Sequence, residues 1–321
     1  MKTTLIDMMN IIFIEYYITN KKLKEEGKEF NEENLPLFYH MFFSKMNYIF
    51  STYGKLIICW EGKGSTEWRK SIFPGYKANR EANRSEDAYK VLISTFPTIE
   101  ETLNYYPCKQ IRTPFAEGDD MIYSIAKKYS EESEDGVLIL STDKDLTQIK
   151  NSFKNIEIYN PIRREFIKEN PYIIEEKSIC GDASDGIPGL YRIGPKKFEK
   201  MLEDKNEWNK VMKKDDNFKI YSSFKQIIDL SNVPEKIKKE ILDEEEKKEY
   251  NLFQPDLIEL FYFNNNLNSL NNNWNNCVED IARASGISIT RNFVENAESV
   301  NKNISSDSES TEIDDVLREF L

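Results

Sequence analysis

The sequence predicts an α/β protein, with a mostly parallel twisted sheet, helices on both faces, and a helical region after it. Three observations carry this. Short runs rich in Ile, Leu and Val alternate with longer amphipathic stretches over residues 1–160, the pattern of parallel strands joined by crossover helices. Acidic residues close several of those runs, where an open parallel sheet gathers its functional groups. From 171 to 250 the strand pattern stops and short helical segments alternate with turns.

The elements follow in order. Strands are expected at 3–7, 55–60, 109–112 and 137–142, with a weaker fifth at 156–159. Helical patterns fill 9–18, 35–52, 86–104 and 119–130. Turns are expected at Gly186–Gly194 and Ser231–Pro234, and the Asn-rich stretch 264–276 reads as a surface loop. Helical spacing returns at 277–297. From 300 onward the Ser/Asp/Glu-rich chain is expected to be disordered. The domain reading is 1–170 for the α/β part, 171–297 for the helical part with a helix–turn–helix unit around 178–202, and 298–321 for an acidic tail.

Composition narrows the class. An apolar fraction of 39% in 321 residues suffices for a core. Cys59, Cys108, Cys180 and Cys277 form no CxxC pair, which argues against a disulfide frame or zinc site. Neither a signal peptide nor a membrane-length apolar span is visible, so a cytoplasmic monomer is expected. The net charge of −12 would by itself repel polyanionic partners. Yet residues 298–321 carry −5 of it and nine clustered carboxylates carry −9, which leaves the rest near +2.

Those nine are Asp7, Glu61, Glu117, Asp119, Asp120, Asp143, Asp145, Asp182 and Asp185. If a sheet brings them together, they repel one another unless divalent cations neutralise them. Ligands made only of oxygen point to Mg²⁺, with Mn²⁺ as a substitute. Spacing supports ligation. Glu117/Asp120 and Asp182/Asp185 are i, i+3, and Asp143/Asp145 are i, i+2 at a strand end. Taken singly, each acid reads equally as a helix cap or turn former. Two ions in such a site suit phosphodiester hydrolysis. Residues 63–90 mix Arg69, Lys70, Lys77, Arg80 and Arg84 with Trp68, Phe73, Tyr76 and Tyr89. Cations with interleaved rings suit a single strand.

Residues 180–197, Cys-Gly-Asp-Ala-Ser-Asp-Gly-Ile-Pro-Gly-Leu-Tyr-Arg-Ile-Gly-Pro-Lys-Lys, resemble the GDxSDNIPGxxGIGxK signature of the 5′-nuclease superfamily. Ser-Thr-Asp-Lys-Asp-Leu-Thr-Gln (141–148), Ala-Glu-Gly-Asp-Asp (116–120), Tyr-Lys-Ala-Asn-Arg (76–80) and Ile-Asp-Met-Met-Asn (6–10) resemble its other motifs, in the family's order. The chain looks most like the T-even phage ribonuclease H type. The resemblance implies a Mg²⁺-dependent 5′-3′ exonuclease or flap endonuclease that removes RNA primers or flaps in DNA replication, in the host cytoplasm if phage-encoded. Its substrates would be DNA and RNA–DNA hybrid with a 5′ flap or end.

By the same resemblance, Asp7, Glu61 and Asp119 would serve one ion. Asp143, Asp145, Asp182 and Asp185 would serve the other, and Glu117 and Asp120 would bridge or bind through water. Lys77 and Arg80 would be catalytic, over the phosphate. Segment 63–104 would be the arch that takes the 5′ strand, with Arg69, Lys70, Tyr76 and Arg84 on it. Gly189, Arg192, Gly194, Lys196 and Lys197 would contact duplex at the helix–turn–helix unit, with K⁺ as a possible ligand there. Two departures stand out: Glu61 where the family has Asp, and Arg192 where it has Gly. They favour the alternative reading, a weakly or non-catalytic structure-specific DNA-binding replication factor. Finally, Ile313, Val316, Leu317 and Phe320 recur on one helical face just before Leu321. Such a tail suits docking to a sliding clamp or other replisome protein.

Overall fold

The computed structural model describes residues 2–80, 87–214 and 216–288. Arg84 and the tail residues Ile313, Val316, Leu317, Phe320 and Leu321 lie outside the described residues. Five parallel strands form where apolar runs predict them: β1 (Thr3–Asp7), β2 (Leu56–Cys59), β3 (Cys108–Ile111), β4 (Val137–Leu140) and β5 (Ile156–Asn160). A sixth, β6 (Glu165–Phe166), pairs antiparallel with β5 at the sheet edge. It carries no hydrophobic pattern, because both of its residues are exposed. The order is β3-β2-β1-β4-β5-β6. Successive strands step one way from β1 to β3 and the other way from β4 onward. The switch between β1 and β4 opens a crevice at their carboxyl ends.

Two compact units divide the chain. The first comprises Met1–Ile18, Leu56–Glu86 and Cys108–Tyr250, and the second Thr19–Lys55, Asp87–Pro107 and Asn251–Leu321. The linear division at 170 is not where these units part. Helix α1 (Glu235–Lys247) follows that division, yet its Ile237 and Ile241 share a core with Leu5, Ile57 and Ile139 of the sheet. Helix α2 (Gly118–Glu132) adds Met121, Ile122 and Ile125 to the same core.

In the second unit, the Asn-rich stretch is helical, at Asn268–Asn272 and Trp274–Ser285. Buried Trp274 anchors it, and its indole N–H donates to the Pro255 carbonyl at 3.1 Å. Asn47 Oδ1 accepts from the hydroxyls of Tyr106 (2.7 Å) and Tyr262 (3.0 Å), which satisfies a buried polar group. Among the described residues no helix is long and apolar enough to cross a membrane.

Candidate metal centre and phosphate site

Asp7 ends β1 at the switch point. Its Oδ1 accepts the Asn10 amide (3.0 Å) and its Oδ2 the Ser141 hydroxyl (3.4 Å). Asn10 Oδ1 in turn accepts the amide and hydroxyl of Thr142, at 3.0 and 3.1 Å. The turns after β1 and β4 are thereby tied together. Ser141 Oγ accepts the Asp143 amide (3.1 Å), and Asp143 Oδ1 accepts the Asp145 amide (2.8 Å). Gly118, at the start of α2, lies where an added Cβ would sit 3.6 Å from Asp7 Oδ1. That close approach brings Asp119 toward Asp7 and Asp143.

The electrostatics record the convergence. Burial pushes the Asp7 carboxyl up to about 7; the Asn10 amide opposes this, while Asp143 and Glu61 add to it. Asp119 is pushed well up, by burial and then by Asp143 and Asp7. Burial and Asp143 likewise raise Asp145 to about 7, against the pull of Lys177. Asp145, Asp182 and Asp185 have carboxylate oxygens within 4.8 Å of one another. Lys177 pairs with Asp145 and, at 2.6 Å, with Asp182. Carboxyls pushed up by burial and by one another, with one group that recruits an ammonium, make a site short of positive charge. Its donors are all oxygen, which fits a hard divalent cation.

Not every expected acid is free to ligate. Asp120 is fully buried and takes both oxygens to the buried Arg69, at 2.6 and 2.9 Å. Glu117 accepts from Lys77 Nζ (2.7 Å) and Tyr76 OH (3.0 Å), and Arg69 lies 3.2 Å away. Burial alone would raise Glu117, but Lys77 and Arg69 outweigh it and hold the carboxyl at about 2. Asp120 and Glu117 also close the N-terminus of α2 as a reciprocal capping box. Asp120 is thus a structural counter-ion and not a ligand. Arg69 and Tyr76 are corrected in the same way. Both are buried behind the site, so neither faces a single strand. The apolar side of the short helix Glu67–Ile72 turns Arg69 inward, where Asp120 and the Ile227 carbonyl (2.9 Å) compensate it.

Glu61 follows β2 and accepts the Ser65 hydroxyl at 2.8 Å. It reaches Asp7 electrostatically despite its extra methylene. Lys77 and Arg80 sit on a loop clamped to the second acidic group. The Lys77 amide donates to the Asp185 carbonyl (2.8 Å), Asn79 to the Ala183 carbonyl (2.7 Å), and Arg80 pairs with Asp185 (2.8 Å). Gly186 is required there, since a Cβ would meet the Gly75 carbonyl at 2.9 Å. Lys70 is half-buried on the helix Glu67–Ile72.

The helix–turn–helix unit consists of α3 (Ile173–Cys180) and α4 (Pro195–Glu203). Gly189 packs against Cys180, where a Cβ would come within 2.5 Å of backbone. Gly194, Lys196 and Lys197 are exposed at the start of α4. Arg192 keeps a left-handed φ of 58°, a conformation that favours glycine, and its guanidinium lies 4.9 Å over the exposed Tyr191 ring. Sequence reasoning missed Lys177. It lies five positions before Asp182 across a helix end, so no helical spacing pairs the two.

The raised carboxyls fix a pH dependence. Asp7, Asp119 and Asp145 hold protons in the folded protein that the unfolded chain releases near pH 4. The stability these groups contribute to the metal-free protein is therefore complete below about pH 4 and is lost as pH rises, through about 7 for Asp7 and Asp145. Glu117 and Asp182 are lowered, so their contribution changes only below that window. Melting in chelator should fall from pH 5 to pH 8, by roughly a few kcal/mol, and added divalent cation should restore it. A melting temperature that rises over this range would contradict the geometry.

The model for the "5'-3' exonuclease, N-terminal resolvase-like domain" family matches residues 2–179. DNA polymerase I of Bacillus subtilis (strain 168) is 30% identical over 164 residues, covering 46% of this chain and 18% of that protein. Flap endonuclease Xni of Shewanella woodyi is 28% identical over 156 residues, covering 46% of this chain and 58% of that protein. The chain therefore spans less than two thirds of the length of these curated relatives. Among solved structures, T5 5′-exonuclease with bound zinc has a TM-score of 0.52 at 18% identity, covering 76% of this chain and 99% of that one. That likeness is one of fold.

Proposed function

This chain belongs to the 5′-3′ exonuclease family, through its N-terminal resolvase-like domain, and from that premise we propose that it is a Mg²⁺-dependent 5′-nuclease. It hydrolyses phosphodiesters where duplex meets a 5′ single strand, on DNA or RNA–DNA hybrid, and removes primers or flaps in replication. The observation that carries the reading is the convergence of Asp7, Asp119 and Asp143 with Asp145, Asp182 and Asp185, beside the loop that bears Lys77 and Arg80.

Asp7, Glu61 and Asp119 would hold one ion, and Asp143, Asp145, Asp182 and Asp185 the second, with Mn²⁺ able to replace Mg²⁺. Such ions supply a water nucleophile at neutral pH and charge stabilisation of the phosphate. The chain's own residues do the positioning. Asn10 and Ser141 fix the Asp7 carboxylate, and the Asp145 amide fixes Asp143. Glu117 parks the Lys77 ammonium at the edge of the acidic group. A phosphate arriving there competes with Glu117 and Asp185 for Lys77 and Arg80, and draws both cations onto its developing charge. Lys177 places its ammonium between Asp145 and Asp182, where a bound cation would otherwise supply the positive charge.

Gly189, Arg192, Gly194, Lys196 and Lys197 would grip duplex through phosphates, without reading sequence. Arg192 brings its own charge to a turn where the resemblance implies K⁺. Lys70 and Arg84 would line the path of the 5′ strand, and the tail 313–321 would tether the monomer to a sliding clamp.

One assay tests the reading. A labelled 5′-flap, a nicked duplex and an RNA–DNA hybrid are incubated with Mg²⁺, Mn²⁺ or EDTA. Cleavage from the 5′ side with either ion, abolished by EDTA, is expected. Cleavage that persists in EDTA would overturn the metal mechanism, and tight flap binding without cleavage would favour the replication-factor alternative.

A further inference from the structure

We propose that Gln148 is a positioning residue that fixes the spacing between Asp145 and the Asp182–Asp185 turn, and thereby the affinity of the centre for its second cation. The inference rests on the nuclease reading above.

Gln148 is a buried polar side chain that the mechanism above leaves without a role. It lies one turn after Asp145, and its backbone amide donates to the Asp145 carbonyl at 3.2 Å. Its side chain reaches the end of another helix, Asn217–Ile228. There Nε2 donates to the Ile228 carbonyl (3.3 Å), and Oε1 accepts the Leu230 amide (2.8 Å). The last turn of a helix leaves carbonyls without intrahelical partners. At this end Ile227 and Leu230 are buried, so such groups need partners within the protein. Arg69 Nε takes the Ile227 carbonyl at 2.9 Å. A carboxamide carries a donor and an acceptor side by side, which matches a carbonyl and an amide in one turn. A carboxylate would face the Ile228 carbonyl with no proton, and an apolar side chain would leave both backbone groups unpaired.

The clamped helix end also supports the second acidic group. Ile227 and Phe224 share a small core with Tyr76 and Ile187. Ile187 exchanges both backbone hydrogen bonds with Asp182, at 2.7 and 2.8 Å, which closes the turn that carries Asp185. Tyr76 precedes Lys77, whose amide donates to the Asp185 carbonyl. A continuous path therefore runs from Asp145 through Gln148 to Ile228 and Leu230, and on through Ile227 and Ile187 to Asp182.

That path has a force to oppose. Asp145, Asp182 and Asp185 bring carboxylate oxygens within 4.8 Å of one another, and like charges at that range repel. Mg²⁺ accepts little misfit among its oxygen ligands. Small shifts between the turn after β4 and the turn at Asp182 therefore register as lost affinity. Asp7 ends β1, Glu61 follows β2 and Asp119 opens α2, so the path from Gln148 bypasses the first group. Loss of the Gln148 side chain is thus selective for one ion, which a general loss of stability is not.

The test is Mn²⁺ binding in the absence of nucleic acid, followed by titration calorimetry, with the melting temperature read alongside. Asp182→Asn removes a carboxylate of the second group and so identifies the second binding step. Gln148→Met keeps length and bulk but removes the donor and the acceptor. It should weaken the second step about tenfold, the scale typical of partners that orient metal ligands, and leave the first within about twofold. Ile227→Val trims one methyl from the small core, keeps every hydrogen bond, and should weaken the second step about threefold. Ile241→Val removes the same methyl from the sheet core and should lower the melting temperature without moving either step. In single-turnover cleavage of a 5′-flap, Gln148→Met should raise the Mg²⁺ needed for half-maximal rate and keep the rate at saturation within about threefold. An unchanged second step in Gln148→Met, or in Ile227→Val should the first variant not fold, would overturn the positioning role and leave the nuclease reading intact. Equal weakening of both steps, shared with Ile241→Val, would do the same. Wild-type protein that takes up no Mn²⁺ would overturn both readings.

Discussion

Asp143→Asn is expected to lower cleavage by about 10³-fold or more and, at the same time, to raise the stability of the metal-free protein. The two effects share one cause. Asp143 is a like charge that raises Asp7, Asp119 and Asp145. Asn keeps an oxygen for the Asp145 amide, so the turn after β4 survives. It removes the negative charge that a bound cation needs, and with it the repulsion that burdens the empty fold. A gain of roughly 1–2 kcal/mol at neutral pH is expected in chelator, and binding of a flap should stay within a few-fold. Single-turnover cleavage and melting in EDTA read the pair of effects. A variant that keeps activity within tenfold of wild type, or that melts lower in EDTA, would remove Asp143 from the centre.

The second large effect is structural. Arg69→Met should destabilise the protein by about 3–5 kcal/mol, because it strands Asp120 and Glu117 as buried charges without their guanidinium. The pair is better judged as a unit than as a contact. Arg69→Met combined with Asp120→Leu should recover a sizeable part of the loss, because an apolar pair of similar volume needs no compensation. Urea unfolding of the single and double variants measures the coupling. A loss under 1 kcal/mol for Arg69→Met would mean that the buried network is not what fixes the start of α2.

The difference between Asp143 and Arg69 also marks how far the sequence could be read. A strand's carboxyl end is a local event. The runs that end at Asp7, before Glu61 and before Asp143 could therefore be recognised without knowing their neighbours, and the parallel sheet followed. Whether an arginine in a mixed basic and aromatic stretch faces water or a buried carboxylate is decided by a partner 51 residues away in the case of Arg69 and Asp120. Composition does not carry that information. Lys177 was missed for a related reason, since its pairing with Asp145 crosses 32 residues. β6 escaped because an exposed two-residue edge strand needs no apolar alternation. The return of α1 to the sheet core from beyond residue 170 is likewise a long-range pairing that local pattern does not carry.

The strand order has a consequence for how the protein is made. β1 lies between β2 and β4, so a strand made before both of its neighbours is an interior one. Its partner β2 starts at Leu56, but its other neighbour, β4, starts only at Val137. At translation rates of about 5–20 residues per second, the interval between β1 and β4 is about 7–26 s. From the completion of β3 at Ile111 until β4 follows at Val137, one flank of a nascent β1–β2–β3 sheet lies open, an edge that other chains can pair with. Expression of N-terminal fragments that stop before Val137 should accordingly yield aggregates, and slower translation of the segment between β3 and β4 should lengthen the dependence on holding chaperones.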